Sequence, residues 1–65
     1  MSLTLTVTGM SCEHCEQAVV EALQGVEGVS AASADRDAEE ATVEGDADTD
    51  ALIQAVEEAG YEAAA

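Results

Sequence analysis

The chain has almost nothing with which to grip a polyanion. Arg36 is its single basic residue against fifteen acidic ones, giving a formal charge of −14 over 65 residues. Phosphate backbones are held by clustered Lys and Arg, so nucleic acid is excluded as a partner. No apolar run approaches the ~18 residues that a membrane span requires, and no membrane insertion is expected. Proline, tryptophan and phenylalanine are absent, and Tyr61 is the only aromatic. Much of the hydrophobic fraction of 48% is alanine. The larger apolar side chains suffice for a small two-layer core but not for a deep substrate cavity of the usual enzyme kind. A chain this short buries only about 60% of its unfolded surface, so modest stability is expected.

The stretch from Met1 to Val7 carries no basic residue and alternates instead of forming an apolar block. It does not read as a signal peptide, and the expected location is the cytoplasm. Thiols stay reduced there, so a cysteine pair reads as metal-binding or redox-active before it reads as a staple. Such acidity alone would suit a disordered chain, but the apolar positions are periodic. The combination predicts a folded domain whose surface suits a salt-rich, halophilic interior. Self-repulsion is costly in dilute buffer and fades in molar salt, where the Debye length is about 3 Å.

Leu3, Leu5 and Val7 alternate with Thr4, Thr6 and Thr8, the pattern of a strand with one buried face. Gly9 breaks it, and Ser11 or Cys12 is placed to cap a helix. Ala18, Val19, Ala22, Leu23 and Val26 then recur at helical spacing until Gly25 and Gly28. Val29 to Ala34 and Glu40 to Glu44 read as strands joined by a turn at Asp35-Arg36-Asp37. Asp48 or Thr49 starts a second helix with Leu52, Ala55, Val56 and Ala59 as its stripe, and Gly60 stops it. Tyr61 to Ala65 leaves room for a short last strand. This order predicts one α+β domain over residues 1–65, a ferredoxin-like βαββαβ sandwich. Its antiparallel sheet would carry both helices on one face.

The chemistry of the chain concentrates at Cys12-Glu13-His14-Cys15. Two thiols three residues apart at a strand-to-helix corner can converge on one soft ion, and Cu(I) accepts such a small ligand set. The helix N-terminus favours thiolate, whereas Glu13, Glu16 and the negative field oppose it. Sequence does not decide between them. Other readings stand beside this one. A disulfide closing so short a loop would remove little unfolded-state entropy. A small dithiol oxidoreductase fits a Cys-x-x-Cys helix start, but the larger βαβ framework and any nearby Trp or Pro are missing. A closed zinc site wants four ligands, and only Cys12, Cys15 and His14 are at hand unless two chains share one ion. A heavy-metal buffer or sensor is the remaining alternative. His14 reads as a tuning or partner-facing group more than a ligand, because adjacent residues on a helix point apart.

Gly9-Met10-Ser11-Cys12-Glu13-His14-Cys15, together with Ala59-Gly60-Tyr61-Glu62-Ala63, resembles the heavy-metal-associated domain. Within that superfamily it is most similar to the small stand-alone copper chaperones of bacteria and archaea. The resemblance covers essentially the whole chain. It implies a non-enzymatic metallochaperone in which Cys12 and Cys15 bind Cu(I), with Zn(II), Ag(I) and Hg(II) left open as other ions. The partner it implies is the metal-binding domain of a copper-transporting P-type ATPase. A monomer is expected without metal, and a metal-bridged dimer is open to it. Met10 should pack inward beneath the loop, and Tyr61 should lie near it. The sequence departs from relatives at Ala32 and Ala34, where larger apolar residues are usual. It also lacks the positive residues that many members place around the site.

Overall fold

The computed structural model describes residues 2–65, so Met1 at the head of the alternating stretch lies outside the described residues. The elements run β1 (Ser2–Thr8), α1 (Glu13–Gln24), β2 (Val29–Asp35), β3 (Glu40–Gly45), α2 (Thr49–Glu58) and β4 (Glu62–Ala64). The strands form one antiparallel sheet in the order β2-β3-β1-β4. β1 and β2 therefore run parallel with β3 between them, and β3 and β4 run parallel with β1 between them. Each helix bridges a pair of strands with one strand between them, which is the interlocked ferredoxin-like arrangement expected from the element order.

Alternation decides which face is covered. Leu5 and Val7 of β1 and Ala41 and Val43 of β3 are buried. Thr4, Thr42 and Ser33 share the opposite, exposed face through the register Thr4↔Thr42 and Ser33↔Thr42. Val19 and Leu23 of α1 and Leu52 and Val56 of α2 join the buried strand residues in one core. Both helices consequently lie on the same side of the sheet. Leu5, Leu23 and Leu52 are each fully buried, and such a side chain contributes about 1.5–3 kcal/mol.

Ala32 and Ala34 of β2 pack against the core on the helix-covered face of the sheet. Ala32 pairs with Val43 and Ala34 with Ala41, and these β3 residues pair in turn with Leu3 and Leu5. Ala32 and Ala34 are half-buried against the core. Small side chains there fill less volume than Val or Ile would, consistent with the modest stability expected from composition.

Two glycines frame the approach of Tyr61 to the β1–α1 loop. Gly60 has φ +100° and sits just past the C-cap of α2, Ala59. The Gly60 N–H donates to the Glu57 carbonyl at 3.0 Å, and the Tyr61 N–H donates to the Val56 carbonyl at 3.2 Å. This is the left-handed stop that satisfies orphan carbonyls and reverses the chain, and it turns Tyr61 back toward β1. Gly9 has φ +96° at the other side of that meeting, and a Cβ there would lie 3.6 Å from the Tyr61 ring.

Candidate metal centre

The loop from Gly9 to Cys12 joins the central strand β1 to α1, and Met10 anchors it from below. Met10 is only 9% exposed and belongs to the core, as expected. Its thioether is thus spent on packing. Cys12 occupies the N-cap of α1 in an extended conformation, φ −155° and ψ 170°. Its carbonyl accepts the Cys15 N–H at 3.0 Å and the Glu16 N–H at 3.2 Å. One peptide oxygen therefore closes the first turn and holds Cys15 over Cys12.

The two sulfurs lie 3.5 Å apart, and both cysteines are free thiols. That separation is far longer than a disulfide bond of about 2.05 Å. It is short enough for one ion to touch both sulfurs at roughly 2.3 Å each. Cys12 is exposed and Cys15 half-buried. The expected side-chain cap is missing: neither Ser11 nor Cys12 bonds the first-turn amides through its side chain. The reason is geometric, since the Cys12 and Ser11 side chains turn to the Cys15 sulfur instead, Ser11 Oγ at 3.8 Å.

At Cys15 the influences that favour thiolate outweigh those that oppose it. Its pKa falls from 9.0 to about 6, with hydrogen bonding from the Tyr61 side chain as the largest cause. The Ser11 backbone, the Cys12 thiol and the Ser11 hydroxyl lower it further, and partial burial opposes them. Tyr61 is shifted the other way. Its phenol is raised, first by its bond to Cys15 and then by desolvation and the charge of the two sulfurs. Tyr61 is half-buried against the core as well, so it both fills space and supports the thiolate.

His14 is exposed and shares a shallow recess with Gln17, Ala18 and Glu21. Among the described residues, no group of three or more His, Cys, Asp or Glu side chains is arranged to hold a metal. The sulfur pair thus stands without a third protein ligand. A wide recess of about 630 Å³ between α1 and α2 is lined by residues such as Ala22, Gly25, Ala51 and Ala55, and neither cysteine lines it.

One contact escaped the sequence reading. Glu16, one residue beyond Cys15, reaches the β2–β3 turn. Its Oε2 accepts the Arg36 backbone N–H at 2.6 Å, and its Oε1 lies 3.9 Å from the Arg36 guanidinium. The only signal was a lone cation among fifteen acids, and nothing local says which of them it meets.

The model of the heavy-metal-associated domain matches residues 4–62. The chain is 40% identical over 62 residues to the copper chaperone CopZ of Staphylococcus saprophyticus, covering 91% of each protein. It is 38% identical over 63 residues to copper-transporting ATPase 2 of Rhizobium meliloti, covering 94% of this chain but spanning 8% of that protein's length. Among solved structures, one described as a CopZ metallochaperone superposes with a TM-score of 0.93 at 31% identity, covering 98% of this chain and all of the other.

Proposed function

The chain belongs to the heavy-metal-associated domain family, and on that footing we propose that it is a Cu(I) metallochaperone. Its single domain would hold the ion between the Cys12 and Cys15 thiolates and pass it to the metal-binding domain of a copper-transporting P-type ATPase. The observation that carries this reading is the sulfur pair itself, 3.5 Å apart on an exposed corner with no third protein ligand gathered around it. Soft thiolates suit Cu(I), and the same pair accepts Ag(I) or Hg(II). Zn(II), which ordinarily takes four ligands, is less well served. A cytoplasmic, non-enzymatic carrier is the corresponding role. No helix among the described residues is long and apolar enough to cross a membrane.

Transfer follows from the asymmetry of the pair. Cys12 is open to solvent, whereas Cys15 is half-buried and supported by Tyr61. A partner thiolate approaching from outside bonds to copper, giving a three-sulfur intermediate. The Cu–S bond to Cys12 breaks first and the bond to Cys15 last. Copper stays monovalent throughout, and each bond lost is replaced by one to the partner. Likeness both to a chaperone and to a stretch of a copper-transporting ATPase supports a donor and acceptor built on one fold.

Anaerobic mixing of the Cu(I)-loaded protein with the metal-free binding domain of a candidate transporter tests the reading. Copper should redistribute between the two within the mixing time of a chromatographic separation. Copper that stays entirely with this chain, although the acceptor binds Cu(I) more tightly when tested alone, would mark a store instead of a carrier.

A further inference from the structure

The first turn of α1 carries both sulfurs but lacks a conventional cap. Cys12 stands at the N-cap, where Ser, Thr, Asp or Asn would bond the turn's free amides, and its side chain makes no such bond. The Cys12 carbonyl closes the turn from within, and a second contact anchors it from outside. Glu16 takes part in both: its main-chain N–H donates to the Cys12 carbonyl, and its carboxylate accepts the Arg36 N–H from the β2–β3 turn.

That turn is built to present the Arg36 amide. Asp35 Oδ1 accepts the Asp37 N–H at 3.0 Å and the Ala38 N–H at 3.3 Å, leaving the Arg36 N–H for Glu16. Glu39, at φ +55°, completes the turn in the left-handed region before β3 begins. The bond to Glu16 is short and charge-assisted, a strong class of hydrogen bond. The guanidinium contact at 3.9 Å is looser, and an exposed pair of that kind contributes little.

We propose that Glu16 is a positioning residue for the thiol pair: its carboxylate, held by the main chain of the β2–β3 turn, fixes the turn of α1 that sets Cys15 over Cys12. The link ties the first turn of α1 to the β2–β3 turn at the point where Cys12, its sulfur facing that of Cys15, makes no side-chain cap. This rests on the Cu(I)-carrier reading for its functional consequence, but the ordering of the turn stands without metal.

Three variants in molar salt decide it: Glu16→Ala, Glu16→Gln and Arg36→Ala, each measured for Cu(I) affinity by chelator competition and, metal-free, for amide hydrogen exchange. Glu16→Ala should weaken Cu(I) binding by about tenfold, the scale of one lost charge-assisted hydrogen bond. Exchange at the Cys15 and Glu16 amides should quicken by about tenfold on loss of a charge-assisted bond, with Leu5 and Val43 unchanged. Glu16→Gln keeps a carbonyl oxygen for the Arg36 amide and should recover most of both. Arg36→Ala keeps its own N–H and should resemble the unaltered protein. Overturning results are a Glu16→Ala protein unchanged in both readouts, exchange quickened equally in the core strands, or Arg36→Ala as weak as Glu16→Ala. If the unaltered protein binds no Cu(I), the carrier reading falls, and the exchange measurement alone still decides whether Glu16 orders the turn.

Discussion

Cys15 and Tyr61 come from opposite ends of the chain and move each other's ionisation in opposite directions, the thiol down to about 6 and the phenol upward. A strand-to-helix corner supplies the sulfur, and a left-handed stop after α2 supplies the hydroxyl. Their pairing favours the thiolate form of Cys15.

The Cys15 thiolate should therefore titrate near pH 6 in the metal-free protein. Tyr61→Phe, which removes the largest lowering influence, should move that midpoint upward; thiolate absorbance or alkylation rate against pH reads it. Because the folded pKa lies below the unfolded one, the associated stability is fully present above the unfolded value. It declines as pH drops, and it is gone once pH has fallen through about 6. A midpoint that Tyr61→Phe leaves in place would contradict the contact.

Replacing either cysteine by alanine should abolish tight Cu(I) binding while leaving the fold largely intact, since neither side chain is fully buried. Chelator competition and urea melts on the two single variants check both halves.

Ionic strength should stabilise the fold. Fifteen acidic residues face one arginine, and the Debye length falls from about 10 Å at 0.1 M salt to about 3 Å at 1 M. For a domain of this size each 1 kcal/mol of relieved repulsion raises Tm by roughly 4–8 °C. Calorimetry of the metal-free protein across a potassium chloride series measures it, and a flat Tm would contradict the electrostatic reading of the surface.

Leu52→Ala should cost about 2–5 kcal/mol, because Leu52 is 1% exposed at the centre of the helical layer. In so thin a core that approaches the whole stability of a small domain. The variant should be largely unfolded in dilute buffer and recover partly in molar salt, as circular dichroism will show.

Gly60→Ala should destabilise by about 1 kcal/mol, the cost of forcing a Cβ into the left-handed region. No atom lies within 4 Å of the added methyl, so crowding plays no part. If the stop shifts, Tyr61 shifts with it, and the Cys15 midpoint should rise as in Tyr61→Phe.

Much of this fold was legible in the sequence because each element carries its own period and its own stop. Leu3, Leu5 and Val7 alternate; Val19 and Leu23, then Leu52 and Val56, recur at helical spacing; Gly60 closes α2 where expected. The thiol pair was legible too, since its spacing and its place at the corner are local facts. The support around it was not. Residues 46 places apart, as Tyr61 and Cys15 are (61 − 15), meet only after the chain has folded. Glu13 and Glu16 beside the motif pointed to a raised thiol, yet Glu16 turns away to the β2–β3 turn. The bare N-cap at Cys12 was hidden for a related reason: residue type suggests a cap, but only geometry shows where its sulfur goes.

Anaerobic titration of the reduced protein with Cu(I) at high salt, followed by copper X-ray absorption, addresses the sulfur pair most directly. One copper per chain with two sulfur neighbours, lost in both Cys12→Ala and Cys15→Ala, is the expected result. Copper bound through nitrogen or oxygen, or retained at full affinity by either variant, would show that the ion is held elsewhere.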